Sequence, residues 1–258
     1  MPFVILLYHH IAPADSIPKT TDRIRDEGWR FTHSPEAFEF QMLELRRRGY
    51  RFVSLGQLTD EIRVSGMERH DSVVVTFDDG WLDNYTFALP LLKKLGIPAT
   101  FFVTTAGLRD GREDPARMNC AQLREIAAQG LTIGSHTRTH PDLTRIPDTV
   151  ARDEITGSKA DLEHALGVSV DFLAYPGGAF NTRVADLARQ AGYRAACSVL
   201  GPKFNDSSSL YWLYRDLLSP ELNTLGDYYR LSRIARWALA FRVSRRLKRR
   251  LAASSQSI

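Results

Sequence analysis

Apolar runs of strand length alternate with helix-length segments along this chain. The runs are "FVILLYHH" (3–10), "YRFVSL" (50–55), "SVVVTF" (72–77), "PATFFVT" (98–104), "LTIGS" (131–135), "DFLAYP" (171–176) and "YRAACSV" (193–199). Between them the apolar positions recur at helical spacing. In "SPEAFEFQMLELRRRG" (34–49), Phe38, Met42 and Leu45 share a face, Ser34 can cap the start, Pro35 suits the first turn and Gly49 the stop. A short helix is expected near 58–64, and others over "NYTFALPLLKKLG" (84–96), "NCAQLREIAAQG" (119–130), "TVARDEITGSKADLEHALG" (149–167) and "NTRVADLARQAG" (181–192). Pro90 should bend the second of these, and Asn119 and Asn181 should cap the third and the last. Strand and helix in strict alternation predict parallel strands joined by crossover helices. About seven strands in one run favours an α/β barrel over an open sheet.

Composition supports one large core: 258 residues, 43% of them hydrophobic. Two cysteines, Cys120 and Cys197, make no disulfide framework and lack the close spacing of a thiolate metal site. The first apolar run, Phe3 to Leu7, is too short for a membrane span or a signal peptide, so the chain as written reads as cytoplasmic.

Charge divides the chain in two. Nine of the 34 basic residues lie at or beyond Arg230, where none of the 30 acidic ones does. The rest therefore carries 25 basic against 30 acidic residues, a net of −5. Leu231, Ile234, Ala238 and Phe241 form a helical stripe in the tail, with Arg233 and Arg236 opposite. The chain is read as a barrel over 1–220 followed by a basic amphipathic helix and tail over 221–258. Such a helix suits an anionic membrane surface at the inner face. Nucleic acid is not an expected partner, because the tail has no recognition fold or aromatic platform.

In parallel barrels the chemistry sits at the C-terminal ends of the strands. His9 and His10, Asp78 and Asp79 of "TFDDG", His136, and "YPGG" (175–178) all fall there. Two adjacent carboxylates at a buried strand end repel unless a cation, a proton or donors hold them. His136 and His140, four apart in "SHTRTH", can reach one metal together with a carboxylate. Each signal has an ordinary alternative, a surface histidine pair or a capped turn; their joint occurrence at strand ends is what points to a site.

"TFDDG" with "SHTRTHPDL" resembles the NodB-homology domain of the polysaccharide deacetylases, carbohydrate esterase family four, over about residues 3–216. "LLYHHI", "FTHSPEAFEFQMLELRRRGYRFVSL" and "ALPLLKKLGIPATFFV" resemble the branch containing poly-N-acetylglucosamine deacetylases. The resemblance implies a distorted (β/α) barrel and a hydrolase that removes N-acetyl groups from sugars, of the kind used in exopolysaccharide biosynthesis. It implies one divalent metal, zinc first, with cobalt, nickel or manganese as alternatives. Carried over by position, Asp78 is the general base, Asp79, His136 and His140 are the metal ligands, and Thr137 orients the metal loop. Gly177 supplies an oxyanion donor, with Tyr175 of the same motif beside the substrate. The family's base-orienting arginine is replaced here by Ala174, and Arg215 of "YWLYRDLL" is a candidate substitute. A late histidine acid is missing, so His9 takes that role by resemblance. Strand alternation keeps His9 and His10 from both facing inward. Trp81 is expected to line a sugar groove. Two alternatives share these residues: a deformylase acting on a formamido sugar, and an inactive carbohydrate-binding relative.

Overall fold

The computed structural model describes residues 4–16, 31–66, 71–109, 114–201 and 205–217. The basic helix expected beyond residue 220 lies outside the described residues.

Strand β1 (Val4–Tyr8) is followed by the short β2 (His10–Ile11) and β3 (Thr32–His33), which pair with each other. Helix α1 (Pro35–Arg47) leads to β4 (Arg51–Phe52) and α2 (Leu55–Ser65). Then come β5 (Ser72–Phe77), α3 (Leu89–Leu95), β6 (Ala99–Val103), α4 (Ala106–Arg109), α5 (Cys120–Ala128) and β7 (Thr132–Ser135). Helices α6 (Asp148–Arg152) and α7 (Ser158–Leu166), β8 (Phe172–Ala174), α8 (Thr182–Gln190), β9 (Ala195–Ser198), β10 (Leu213–Tyr214) and β11 (Asp216–Leu217) complete the order.

The main sheet runs β10-β9-β8-β7-β6-β5-β1-β11, and every pairing between its strands is parallel. Its two ends belong to one short segment. Leu213 and Tyr214 pair with β9, while Asp216 and Leu217 pair with β1. That segment closes a barrel with seven strand positions. The expected count of about seven holds, but the seventh place is not filled by "YRFVSL". Its two-residue β4 pairs only with the start of β5, off the main path.

Caps explain the helix starts. Ser34 Oγ accepts from the Ala37 N–H at 3.1 Å, and Asn119 and Gln122 bond reciprocally across the first turn of α5. Asn181 caps α8 through the Val184 N–H. Two expected helices are interrupted. A π-turn over Asn84–Ala88 precedes α3, with the Leu89 N–H reaching back to the Asn84 carbonyl. Pro90 has no N–H for the next helical bond, so the wider turn takes up the mismatch just before it. A second π-turn, Asp153–Gly157, separates α6 from α7.

Alternation along the strands divides the core. Leu6, Tyr8, Val73, Val75, Phe77, Phe101 and Ile133 face the helices, against Phe38, Met42 and Leu45 of α1 and the buried faces of α3, α5 and α7. Ile5, Val74, Phe102, Phe172, Ala195, Cys197 and Leu213 form a second set with Leu55, Leu58 and Ile62 of α2. On the same parity, two residues further along β5 and beyond β10, come Thr76, Asp78 and Arg215. Polar residues thus sit above an apolar floor inside the barrel.

Candidate active site

Asp78 and Asp79 follow β5 directly and do different things. Asp78 is 3% exposed and continues the inward parity of Val74 and Thr76. Arg215, itself 1% exposed, grips it with two hydrogen bonds of 2.7 Å, one to each carboxylate oxygen. The same guanidinium lies over the Phe102 ring and donates weakly to Thr76 Oγ1 at 3.3 Å. Burial alone would push the Asp78 carboxyl up. The charge of Arg215 and its hydrogen bonds outweigh burial and hold it at about 2. Asp78 is therefore an ionised carboxylate throughout the ordinary pH range.

Asp79 leaves the strand with φ +72°. Its Oδ1 lies 3.6 Å from His136 Nε2 and 3.6 Å from His140 Nε2. The other oxygen, Oδ2, accepts from the Trp81 indole N–H at 3.2 Å. His136 follows β7, and its Nδ1–H donates to the Ala174 carbonyl at 2.8 Å, which places the lone pair on Nε2, facing the carboxylates. Burial pushes the imidazole pKa down, so the neutral, ligating form is favoured. One ligand atom from each of Asp79, His136 and His140 falls within 4.8 Å of the other two, a group that could hold a metal ion.

The loop between the histidines is held tightly. Thr137 Oγ1 accepts from the His140 N–H, and Ser135 Oγ accepts from the Thr137 N–H, both at 3.1 Å. Glu154, from the second π-turn, accepts from the Arg138 and Thr139 N–H groups and from the Thr139 hydroxyl. Arg138 is locked to Asp153 and Asp161. The three non-glycine residues with left-handed backbone among the described residues are Asp79, Thr137 and His140. All three lie in this constellation, where such strain collects when surrounding contacts over-determine it.

The remaining expected residues separate into those near the centre and those away from it. His9 is close enough to Asp78 and Asp79 for their charges to act on it, although burial dominates and lowers its pKa. Its Nδ1 is buried with no hydrogen-bond partner among the described residues. His10 turns elsewhere and donates from Nδ1 to Asp83 Oδ2 at 2.5 Å. Alternation separates the pair as expected. Gly177 is exposed at the end of β8, with φ +59°. The Tyr175 side chain is carried away from the site: it is fully buried, stacks on Phe180 and donates its hydroxyl to the Tyr211 carbonyl. Arg215, the candidate substitute for the missing arginine, is buried and holds Asp78.

Sequence reasoning passed over Asn84, Arg117 and Glu154. Asn84 Nδ2 holds the His9 carbonyl at 2.9 Å from the first π-turn. Arg117 stacks on Trp81 and donates to the Asp79 carbonyl. No motif marks these residues, because their roles arise from irregular turns that juxtapose distant segments. A cavity of about 550 Å³ opens beside His140, between the β6–α4 connection and the segment leading into α5, with Leu108, Arg117, Met118 and Thr139 in its wall.

A family model described as polysaccharide deacetylase matches residues 65–196, just over half of the chain, a range that includes Asp78, Asp79, His136 and His140. The chain belongs to the polysaccharide deacetylase family. It is 27% identical over 221 residues to YxkH of Bacillus subtilis (strain 168), itself named provisionally as a polysaccharide deacetylase; the match covers 85% of this chain and 72% of YxkH. Seven further curated relatives are matched over only 20–59% of their own length. Among solved structures, the Streptococcus pyogenes deacetylase PplD in complex with acetate is similar with a TM-score of 0.73 at 25% identity, covering 86% of this chain and 94% of that one. IcaB from Ammonifex degensii is similar with a TM-score of 0.72 at 26% identity and the same coverage. The NodB-type (β/α) barrel is thus the fold of this chain.

Proposed function

We propose that this deacetylase is a metal-dependent hydrolase that removes N-acetyl groups from a sugar of a polysaccharide or a lipid-linked glycan precursor. The observation that carries the reading is the convergence of Asp79, His136 and His140 beside a carboxylate that a buried arginine keeps charged. The donor set fits a divalent cation such as zinc. Two ligands each about 2.1 Å from a tetrahedral centre stand roughly 3.4 Å apart, and both histidine nitrogens lie 3.6 Å from the same Asp79 oxygen. Cobalt, nickel or manganese would fit the same two nitrogens and one oxygen. A divalent metal there would polarise an amide carbonyl and acidify water.

The chain's own residues account for the rest. Asp78 accepts the proton of the attacking water. Its two bonds to Arg215 fix the carboxylate plane and keep the base ionised, at the cost of intrinsic basicity. The amide carbon becomes tetrahedral, and the Gly177 N–H at the mouth is the proposed donor to its oxygen. His9 in its protonated form then delivers a proton to the nitrogen as the C–N bond breaks, releasing acetate and the free amine, and the proton taken up by Asp78 restores it.

Two measurements test the reading. Elemental analysis should find about one divalent metal per chain, as a site of three protein ligands implies, and His140→Ala should lose it. Acetate should then be released from N-acetylated oligosaccharides; release of formate from formamido sugars instead would move the assignment to the deformylase. Wild-type protein that stays metal-free after zinc loading would overturn the hydrolase. Separately, His9→Ala should reduce turnover at saturating zinc by about 10²-fold or more, the scale of general-acid loss, with zinc still bound. His10→Ala should reduce it far less. Equal losses would remove His9 from the acid role.

A further inference from the structure

Each of the two aspartates has its own holder. Asp78 is gripped by Arg215, which comes from the closing segment of the barrel. Asp79 is gripped by a separate group that no part of the reaction has yet used. Its Oδ2 accepts from Trp81 Nε1 at 3.2 Å, while its backbone carbonyl accepts from the Arg117 guanidinium. Arg117 and Trp81 are themselves joined: the two residues form an isolated antiparallel bridge, and the guanidinium carbon sits 4.0 Å from the centre of the indole ring. The His10 ring lies 4.5 Å from the indole, held in turn by Asp83, whose other oxygen accepts from the Ile11 N–H.

We propose that Trp81, backed by Arg117, is a positioning residue that dictates which oxygen of Asp79 faces the metal, rather than a platform for the sugar. The proposal rests on Asp79 being a metal ligand and adds how its geometry is set. A carboxylate free to rotate can swap oxygens or bind through both. The indole N–H occupies Oδ2 and leaves Oδ1 alone between the two histidine nitrogens. One-oxygen coordination keeps the metal at three protein ligands, with positions left for substrate and water. The backbone needs the same help. A left-handed φ at a non-glycine residue is strained, and the Arg117 bond to the Asp79 carbonyl lies at that strained residue. A sugar stacking on the face that Arg117 covers would have to displace the guanidinium.

The test uses the full chain, stripped of metal and titrated with zinc by calorimetry. Trp81→Phe keeps a ring for Arg117 and His10 but removes the N–H. Zinc affinity should fall about 10- to 100-fold, the usual loss when a partner of a metal ligand is removed. The melting temperature without metal and the KM at saturating zinc should stay near wild type. The absorption spectrum of the cobalt-loaded variant should change in intensity, because coordination number changes with a second Asp79 oxygen. Arg117→Met carries the same expectation for zinc affinity if Trp81→Phe does not fold. Unchanged zinc affinity with a raised KM would overturn the proposal in favour of a sugar platform. A wild-type protein that binds no zinc would remove the metal reading itself, and this proposal with it.

Discussion

At the scale of single residues, a buried arginine, Arg215, holds the carboxylate proposed as the base. Ala174, where the resemblance to the family leads one to expect an arginine, orients His136 through its carbonyl. Arg215 reaches Asp78 from the closing segment, one strand away across β1, over the Phe102 ring. Removing it, as in Arg215→Met, leaves a buried carboxylate without its counter-charge. Breaking a buried pair in this way costs about 3–5 kcal/mol of stability, measurable by urea denaturation. The acid side of the rate profile should respond as well. In the wild type the Asp78 carboxyl is held at about 2, so the base stays ionised at any higher pH. Without Arg215, burial becomes the leading influence and raises the pKa, so activity should begin to fall at a higher pH as acid is added. The stability link has the matching sign. A depressed carboxylate pKa stabilises the fold above the unfolded value near 4, and that contribution fades as pH drops through about 2. A variant with wild-type stability and an unmoved acid limb would show that Arg215 does not govern the base.

At the scale of elements, the two π-turns are where sequence pattern and structure part. Caps and periodicity marked α1, α5 and α8 closely, because Ser34, Asn119 and Asn181 act through local bonds that leave a local signature. The stretch 149–167 reads as one continuous helix, with Gly157 tolerated inside it. The structure gives that glycine a reason. Its backbone is helical, with φ −67° and ψ −43°, yet a Cβ there would stand 2.2 Å from Arg138 Cζ. Arg138 passes over the bare turn to reach Asp153 and Asp161, while Glu154 of the same turn holds the Arg138 and Thr139 N–H groups. The π-turn thus braces the loop that carries His136 and His140, a long-range contact that no helical periodicity can encode. In an ordinary helix Gly→Ala gains up to about 1 kcal/mol. Gly157→Ala should instead destabilise by roughly 1–3 kcal/mol, the range for overpacking, and should weaken zinc binding by displacing Arg138. Denaturation and calorimetry on one variant test both; a stabilised variant with intact zinc affinity would separate the turn from the metal loop. The other π-turn follows β5, and from it Asn84 holds the His9 carbonyl. The closing strand leaves little pattern for a similar reason: β10 and β11 have two residues each, so only the step from Leu213 to Arg215 hints at an inward pair.

At the scale of the whole molecule, the barrel and the tail are opposite in charge. The first 229 residues carry 25 basic and 30 acidic side chains, a net of −5, and the last 29 carry nine basic and none acidic. Among the described residues no helix is long and apolar enough to cross a membrane. Any membrane contact by that part of the chain would have to be peripheral if it is made through helices, and the tail is the segment whose charge favours it. Each basic side chain near an anionic surface contributes about 1 kcal/mol, within a Debye length of roughly 8 Å at physiological salt. Nine such charges exceed what an acidic barrel repels, provided that the tail, not the barrel, meets the surface. A lipid-linked glycan precursor at the inner face of the membrane is the substrate that such an arrangement would serve. Full-length protein should therefore sediment with vesicles containing about one-third phosphatidylserine and be released by raising salt toward 0.5 M, as screening requires. Neutral vesicles should capture much less. A chain ending after Asp227 should stay in solution with either vesicle, while its turnover on a short soluble acetylated oligosaccharide remains that of the full chain, because every residue assigned to the chemistry precedes the cut. Equal binding of the full and shortened chains would assign the surface to the barrel. Loss of soluble-substrate activity in the shortened chain would mean that the tail supports the fold or the site and is not a membrane tether.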